Sequence, residues 1–256
     1  MKSIDEQIAL VIPSCDGYAD VWTPLLEALQ RFWPDNGFNK YLVTNHLTPS
    51  FPGVQILAVG NDVSWSDNLM LALDWISEDY VLLNIDDLIL CGPVNHAAVM
   101  SAISRLTSAG GNYMRLNPTP AGHAEDGDLG VVSPGDIYRA STVFSLWRKD
   151  VLRSVLHPGE SAWDFEIHGS ARTDDFDDWF ASKHFLLSYV NLVIKGKIDP
   201  RALAILERQG ITYQSTRRLL SRSELARRWL QEKRSRALAL LPRKLGRTIR
   251  NVFRPV

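Results

Sequence analysis

Residues 80–87 read Tyr80-Val81-Leu82-Leu83-Asn84-Ile85-Asp86-Asp87, an apolar run that ends in two acidic side chains. Such a run predicts a strand that is buried on both faces, as in the parallel sheet of an α/β protein. The segments before it alternate between strand-like and helix-like patterns, which predicts a mostly parallel, doubly wound sheet flanked by helices. These segments are strand 8–13, helix 21–33, strands 40–44 and 55–59, and a helix with Ser66 as its N-cap.

Three polar clusters follow predicted strands, at residues 14–16, at residues 60–62 and at Asp86-Asp87. Ligands of open α/β sheets bind beyond the carboxyl ends of the strands. We therefore expect the three clusters to meet in one crevice. The alternative for Asp86 and Asp87 is that strand-end acids only cap the following turn or helix.

The composition predicts a globular protein of the cytoplasm. The chain has 256 residues, of which 45% are hydrophobic and 22% charged. No stretch approaches the roughly 20 apolar residues that cross a bilayer. The first 14 residues lack a basic segment and are interpreted as a first strand and not as a signal peptide. The two cysteines, Cys15 and Cys91, lack metal-ligand spacing, which is typical of a reducing compartment.

The net charge of −1 hides a strong asymmetry along the chain. Residues 201–256 contain 15 Lys/Arg and 3 Asp/Glu, which leaves 13 Lys/Arg and 26 Asp/Glu in residues 1–200. This asymmetry predicts an acidic catalytic domain over 1–200 and a basic amphipathic helical extension over 201–256.

The basic extension has two functional interpretations and one structural alternative. Amphipathic basic helices that carry Trp229 and Phe253 would bind an anionic membrane surface through residues 213–256, which places the protein peripherally on the inner face of the plasma membrane. Nucleic acid attracts the same charges, but it is not an expected partner because the body is acidic and has no reading motif. Alternatively, the helices pack on the domain and only expose a basic face.

The usual phosphate-binding loops are absent from the sequence. There is no Walker loop, no Gly-x-Gly-x-x-Gly after the first strand and no Gly-rich activating loop. Kinases, dinucleotide dehydrogenases and most nucleotidyltransferases are thereby disfavoured. The remaining device is a divalent cation, Mg²⁺ or Mn²⁺, held by the carboxylates of Asp86 and Asp87 with phosphate as a further ligand.

A second acidic segment is Trp163-Asp164-Phe165-Glu166. Strand alternation here would place the two acids on one face and the two aromatic rings on the other. A carboxylate beside an aromatic wall has a raised pKa and can remove a proton from a sugar hydroxyl. An alternative with the same support from the sequence is that residues 163–166 form an exposed acidic strand whose two aromatic side chains pack in the core.

Five stretches between residues 8 and 200 carry a resemblance to a known family. They are Val11-Ile12-Pro13-Ser14-Cys15-Asp16-Gly17-Tyr18 with Asp20-Val21-Trp22, Asp62 with Trp65-Ser66-Asp67-Asn68-Leu69, Asp79 to Asp87, Ser145-Leu146-Trp147-Arg148-Lys149-Asp150, and Ser161 to Ser170. Together they resemble bacterial GT-A-type glycosyltransferases that build surface polysaccharide, such as capsule or O-antigen.

The resemblance implies a GT-A fold, a nucleotide-diphospho-sugar donor and inversion at the transferred sugar. It assigns roles to individual positions: Asp16, Tyr18, Asp62, Trp65, Asn68, Asp86 and Asp87 bind the donor, Glu166 is the base with Asp164 as the alternative, and Trp163 binds the acceptor. Many GT-A enzymes hold their metal with Asp-x-Asp, whereas this chain has Asn84-Ile85-Asp86 followed directly by Asp87. Asp87 is therefore a candidate either for the metal or for the ribose or sugar.

The resulting hypothesis is transfer of a sugar to a hydroxyl of a glycan or lipid-linked glycan. Two rivals remain at this point. One is another nucleotide-using α/β enzyme of the nucleotidyltransferase kind, and the other is a non-enzymatic, membrane-docked factor for glycan assembly.

Overall fold

The computed structural model describes residues 4–119, 122, 124–228 and 230. Within them the strands are β1 Ile8–Ile12, β2 Asn39–Thr44, β3 Val54–Ala58, β4 Tyr80–Leu83, β5 Leu88–Leu90, β6 Tyr113–Arg115, β7 Ala124–Asp126, β8 Leu129–Val131, β9 Ser145–Arg148, β10 Trp179–Ser182, β11 Tyr189–Asn191, β12 Val193–Ile194 and β13 Lys197–Ile198. The helices are α1 Ala19–Phe32, α2 Trp65–Leu73, α3 His96–Ser108, α4 Lys149–Val155, α5 Ala162–Asp164, α6 Ser170–Arg172 and α7 Pro200–Arg208.

The central sheet has the order β3-β2-β1-β4-β9-β6-β10-β8-β7 within the described residues. Strands β1 to β4 are mutually parallel, and β9 then runs antiparallel to both β4 and β6. This confirms the predicted α/β sheet flanked by helices. The chain leaves β1 towards β2 on one side and returns to β4 on the other, so a topological switch point lies between β1 and β4.

Hydrophobic residues cover both faces of this sheet. All five residues of β1 are fully buried. Ile8, Leu10 and Ile12 face the cluster that contains α1, α3 and α7, whereas Ala9 and Val11 face the cluster of α2 and α4. Burial of a side chain of this size contributes roughly 1.5 to 3 kcal/mol. The continuous apolar pattern of β1 and β4 follows from burial on both faces.

Two sequence expectations are wrong in local structure. The N-cap of α2 is Ser64 and not Ser66, because the Ser64 hydroxyl accepts the backbone N–H of Asp67 at 3.1 Å. The segment 162–166 is helical and not a strand. Ser161 and Asp164 form a capping box that starts α5, and a π-helical turn, Phe165–Gly169, continues it.

The described part of 201–256 lies on the body of the protein. Ala202 and Leu206 of α7 and Ile211 after it belong to the same buried cluster as α1. Ser221 and Glu224 form a capping box, and residues 222–228 are helical. Trp229 and residues 231–256, on which the predicted membrane contact largely depends, lie outside the described residues. Among the described helices, none is long and apolar enough to span a bilayer.

Candidate functional site

The end of β4 is joined to the end of β1 by a side-chain hydrogen bond across the switch point. The Ser14 hydroxyl donates to Asp86 Oδ2 at 2.5 Å and accepts from Trp22 Nε1 at 2.7 Å. Trp22 lies in α1 and is buried. This chain of bonds fixes one oxygen of Asp86 at the point where ligands of open α/β sheets bind.

Asp86 and Asp87 are both withdrawn from solvent. Burial, together with the neighbouring charge of Asp87, raises the pKa of Asp86 to about 7, while the bond from Ser14 acts in the opposite direction. Burial raises the pKa of Asp87 to about 6. Two adjacent carboxylates that resist ionisation in this way are stabilised as anions when a cation binds between them.

Asp16 organises the neighbouring loop. Its carboxylate accepts the backbone N–H groups of Asn45 and His46, each at 2.9 Å, and that of Leu47 at 3.1 Å. Burial raises the pKa of Asp16, but these three N–H donors outweigh that effect and lower it. Asp16 thereby ties the turn after β1 to the loop after β2.

The other donor-side candidates surround the same sheet edge. Burial raises the pKa of Tyr18, and the charges of Asp86 and Asp87 raise it further. The Cys15 thiol has its pKa raised by burial, then by the charges of Asp62 and Asp86. Ser14 bonds to Asp86, and Gly60 after β3 donates its N–H to the carbonyl oxygen of Asn45, whose own N–H donates to Asp16. The strand ends after β1, β3 and β4 therefore meet, as the strand-end clusters predict.

Four buried polar atoms near this edge have no hydrogen-bond partner among the described residues. Buried polar groups are normally paired with protein or solvent, so such atoms mark a place where a ligand or water bonds. They are Asn45 Nδ2, Trp65 Nε1, Asn68 Oδ1 and Asn84 Oδ1. Asn68 also donates through Nδ2 to Asp62 Oδ1 at 2.7 Å. The sequence analysis did not select Asn45 or Asn84, although Asn84 interrupts the apolar run 80–85 directly after β4, which is itself a signal.

Glu166 lies in a polar cluster beside β9. Its Oε1 accepts the Thr142 backbone N–H at 2.7 Å, the Thr142 hydroxyl at 2.9 Å and the Ser141 hydroxyl at 3.1 Å. Burial raises the pKa of Glu166 despite these bonds and the charge of Arg115. Ser145 pairs with Leu83, so Thr142 precedes β9 at the same sheet edge as Asp86.

The helical geometry of residues 162–169 separates Glu166 from Asp164. Asp164 Oδ2 accepts the Ser161 hydroxyl at 2.7 Å and so belongs to the helix cap. Trp163 is 45% exposed and contacts Tyr138 edge to face, with ring centroids 5.8 Å apart. Phe165 is fully buried and packs on Trp65 at 5.4 Å. Because consecutive residues turn around a helix axis, Asp164 and Glu166 do not share the single face that a strand would give them.

The carboxylate pair is the cation candidate of this site. Across residues 4–119, 122, 124–228 and 230, no three His, Cys, Asp or Glu side chains come together as a metal-binding group. Asp86 and Asp87 would supply two hard oxygen ligands, which suits Mg²⁺ because this ion keeps water and phosphate oxygens in its remaining positions.

Similar folds occur among solved structures. S. aureus TarS 1-349 in complex with UDP-GlcNAc matches with a TM-score of 0.53 and 14% identity, over 82% of this chain and 68% of that one. The UDP complex of TarS 1-349 matches with a TM-score of 0.52 and 12% identity, over 82% and 67%. A longer TarS structure matches with a TM-score of 0.51 and 13% identity, over 91% and 44%.

This chain spans 44% to 68% of the length of the TarS chains that it matches. No protein-family model matches the sequence, and no curated protein does. At 12% to 14% identity the likeness to TarS shows the fold. The described chain therefore has a GT-A-like α/β fold, in which Asp86 and Asp87 follow β4 at the switch point between β1 and β4.

Proposed function

We propose that this chain is a glycosyltransferase that uses a nucleotide-diphospho-sugar donor. The observation that carries the proposal is buried Asp86, bonded to Ser14 at the switch point of a GT-A-like fold, with half-buried Asp87 directly after it. The likeness to a TarS structure in complex with UDP-GlcNAc makes a uridine diphosphate sugar the first donor to test.

In this proposal, Asp86 and Asp87 hold a divalent cation, Mg²⁺ or Mn²⁺, at the donor diphosphate. When bound, the cation neutralises charge that develops on the leaving diphosphate. The raised pKa values of both carboxylates support the assignment, because a site of this kind gains most from a bound positive charge. The alternative role of Asp87 is a hydrogen bond to the ribose or the sugar.

Five further side chains contact the donor or position its pocket in this proposal. Asp16 acts through the loop at Asn45, and Tyr18 lies beside the carboxylate pair. Asp62 orients Asn68, and the unpartnered Oδ1 of Asn68 accepts a hydrogen bond from the nucleotide sugar. Trp65 donates through its unpartnered Nε1.

Glu166 is the proposed general base. The acceptor hydroxyl oxygen forms a bond to the anomeric carbon of the sugar while the bond from that carbon to the phosphate oxygen breaks. The hydroxyl proton passes to Glu166, and the nucleoside diphosphate leaves. A single base on the acceptor side is sufficient for one displacement with inversion. The raised pKa of Glu166 suits proton uptake, and exposed Trp163 is the proposed acceptor platform.

The proposed acceptor is a hydroxyl of a glycan or lipid-linked glycan in surface polysaccharide synthesis. Its support is the sequence resemblance between residues 8 and 200, together with the basic composition of residues 213–256. A basic segment would hold the enzyme at the anionic cytoplasmic face of a membrane, within reach of a lipid-linked acceptor.

Thermal unfolding of the full chain with sugar nucleotides tests the proposal. UDP-, GDP-, CMP- and dTDP-sugars are compared with and without Mn²⁺, for the unaltered chain, for Asp87→Ala and for Asp79→Asn. Asp79 is an exposed acidic residue that directly precedes the first residue of β4, at the end away from Asp87, and it serves as the matched control. We expect stabilisation by one nucleotide class, lost in Asp87→Ala and kept in Asp79→Asn.

Two results would contradict the glycosyltransferase assignment, and a third would contradict the proposed site. Release of pyrophosphate in place of a nucleoside diphosphate would indicate a nucleotidyltransferase. No stabilisation by any sugar nucleotide would favour a non-enzymatic assembly factor. Unchanged sugar transfer in both Asp87→Ala and Glu166→Ala would refute the proposed site.

A further inference from the structure

Three side chains of the segment 211–217 converge on one carboxylate in the first turn of α1. Asp20 Oδ2 accepts the Tyr213 hydroxyl at 2.5 Å and the Ser215 hydroxyl at 2.6 Å. Arg217 pairs with the same carboxylate through Nε at 2.8 Å and through Nη2 at 2.9 Å. Bidentate pairing of this kind fixes the orientation of the guanidinium group.

Arg217 also contacts the turn that follows β1. Its Nη2 donates to the Gly17 carbonyl oxygen at 2.5 Å, and its Cζ lies 4.4 Å from the centroid of the Tyr18 ring. A guanidinium at this distance over an aromatic face is held by a cation–π interaction. Arg217 thereby connects the backbone and the ring of this turn to Asp20.

Residues 211–224, which we name the C-terminal strap, are attached to the body at other points as well. Ile211 is fully buried. The Ile198 N–H donates to the Arg218 carbonyl oxygen at 2.9 Å, and the Leu220 N–H donates to the Ile198 carbonyl oxygen at 2.8 Å. The strap is therefore seated on the fold independently of Arg217, so a change at Arg217 tests a local contact.

We propose that the C-terminal strap completes the nucleotide site and that Arg217 is a positioning residue acting through Tyr18. The inference rests on the proposed function, because Tyr18 is a predicted donor contact beside Asp86 and Asp87. By fixing the Gly17 carbonyl and the Tyr18 ring before the ligand arrives, Arg217 reduces the ordering that nucleotide binding would otherwise require. It also brings a positive charge to an acidic crevice that receives an anionic diphosphate.

Calorimetric titration of the full chain with UDP in the presence of Mn²⁺ measures this role. We expect Arg217→Ala to raise the Kd about tenfold, in line with the loss of a partly buried cation–π contact. Arg218→Ala is the matched control, since Arg218 is the next residue and is exposed, and it should stay within about twofold. Arg217→Lys keeps the charge but loses the bidentate geometry, so its Kd should lie between these values.

A double-mutant cycle separates positioning from general structural support. If Arg217 acts through Tyr18, the Kd of the variant with both Tyr18→Ala and Arg217→Ala will be no higher than that of the weaker-binding single variant. Additive losses would overturn the positioning role. Should Arg217→Ala fail to fold, the cycle is run with Arg217→Lys, and a Kd equal to that of the unaltered chain would overturn the inference.

The failure of this inference can be distinguished from failure of the proposed function. An unaltered chain that binds UDP, together with an Arg217→Ala variant that binds it equally well, overturns the role of the strap alone. An unaltered chain that binds no UDP and no sugar nucleotide overturns the proposed function and, with it, the role of the strap.

Discussion

The Ser14 hydroxyl lies 2.5 Å from Asp86 Oδ2, although the two residues are 72 positions apart. The parallel ladder between β1 and β4 brings them together, because it pairs Val11 with Leu83, and the Asn84 N–H donates to the Val11 carbonyl oxygen at 2.9 Å. The bond favours the ionised form of a carboxylate that its burial disfavours. Ser14 therefore contributes to the charge state of the candidate site.

Replacing Ser14 tests this contribution. A hydrogen bond to a charged group contributes about 1.5 to 3 kcal/mol, which corresponds to about one to two pKa units. In Ser14→Ala the pKa of Asp86 should rise, and the pH midpoint for Mn²⁺-dependent UDP binding should move upward by about one unit. Calorimetry over a pH series measures the midpoint. Ser154→Ala, in α4, is the control; a profile that Ser14→Ala leaves unchanged would argue against the coupling.

The stability of the unliganded protein should fall as pH rises through the pKa values of the acidic pair. In the folded state the pKa of Asp86 is about 7 and that of Asp87 about 6, both above the ordinary aspartate pKa of 3.8. Between these limits the folded state keeps protons that the unfolded chain has released, so the free energy of unfolding decreases with pH.

Asp86→Asn removes part of that slope. Urea unfolding gives the free energy of unfolding at about pH 5 and at about pH 8. Between these pH values it should fall by roughly 2 to 3 kcal/mol more in the unaltered chain than in Asp86→Asn. Taking the difference between the two proteins cancels the titration of all other groups. Asp79→Asn should behave as the unaltered chain does. Equal pH slopes in the unaltered chain and in Asp86→Asn would show that Asp86 ionises normally.

Glu166 and Asp164 are distinguished by their hydrogen bonds. Glu166→Gln keeps an acceptor oxygen for Thr142 but cannot take a proton, so sugar transfer should fall by about 10² to 10⁴ with little change in the Kd for UDP. Asp164→Asn weakens a helix cap, which costs about 1 kcal/mol of stability. Transfer rates and UDP titrations of both variants give the comparison. A larger loss of transfer in Asp164→Asn would assign the base to Asp164.

The predicted membrane contact is tested by deletion of residues 229–256, which contain eight Lys/Arg and one Asp/Glu. Each basic residue near an anionic surface contributes about 1 kcal/mol. Co-sedimentation with phosphatidylserine vesicles should therefore be lost, and neutral phosphatidylcholine vesicles should bind neither protein. Because the deletion keeps the C-terminal strap, UDP binding should be unchanged. Equal sedimentation of the full and shortened chains with phosphatidylserine would rule out this surface.

Local sequence patterns were sufficient to predict an element that is buried on both faces or has a strong helix cap. The runs at β1 and β4 predict their strands to within one or two residues, because an unbroken apolar segment of that length is stable only inside a sheet. The shorter strands β6, β8 and β10 escaped prediction, since three or four residues show no clear period and their pairing is non-local. At 162–166 the capping box overrode the apparent alternation.

By itself, the sequence determined an α/β protein whose Asp86 and Asp87 follow a buried strand. The local pattern of apolar residues is sufficient to indicate which strand is buried and where it ends. It could not show that Ser14 bonds to Asp86, or that Arg217 contacts Tyr18 and Asp20 from nearly 200 residues away. Those contacts depend on strand order and on the path of the chain after α7. No periodicity or spacing encodes them, so only the tertiary structure decided which charges surround the acidic pair.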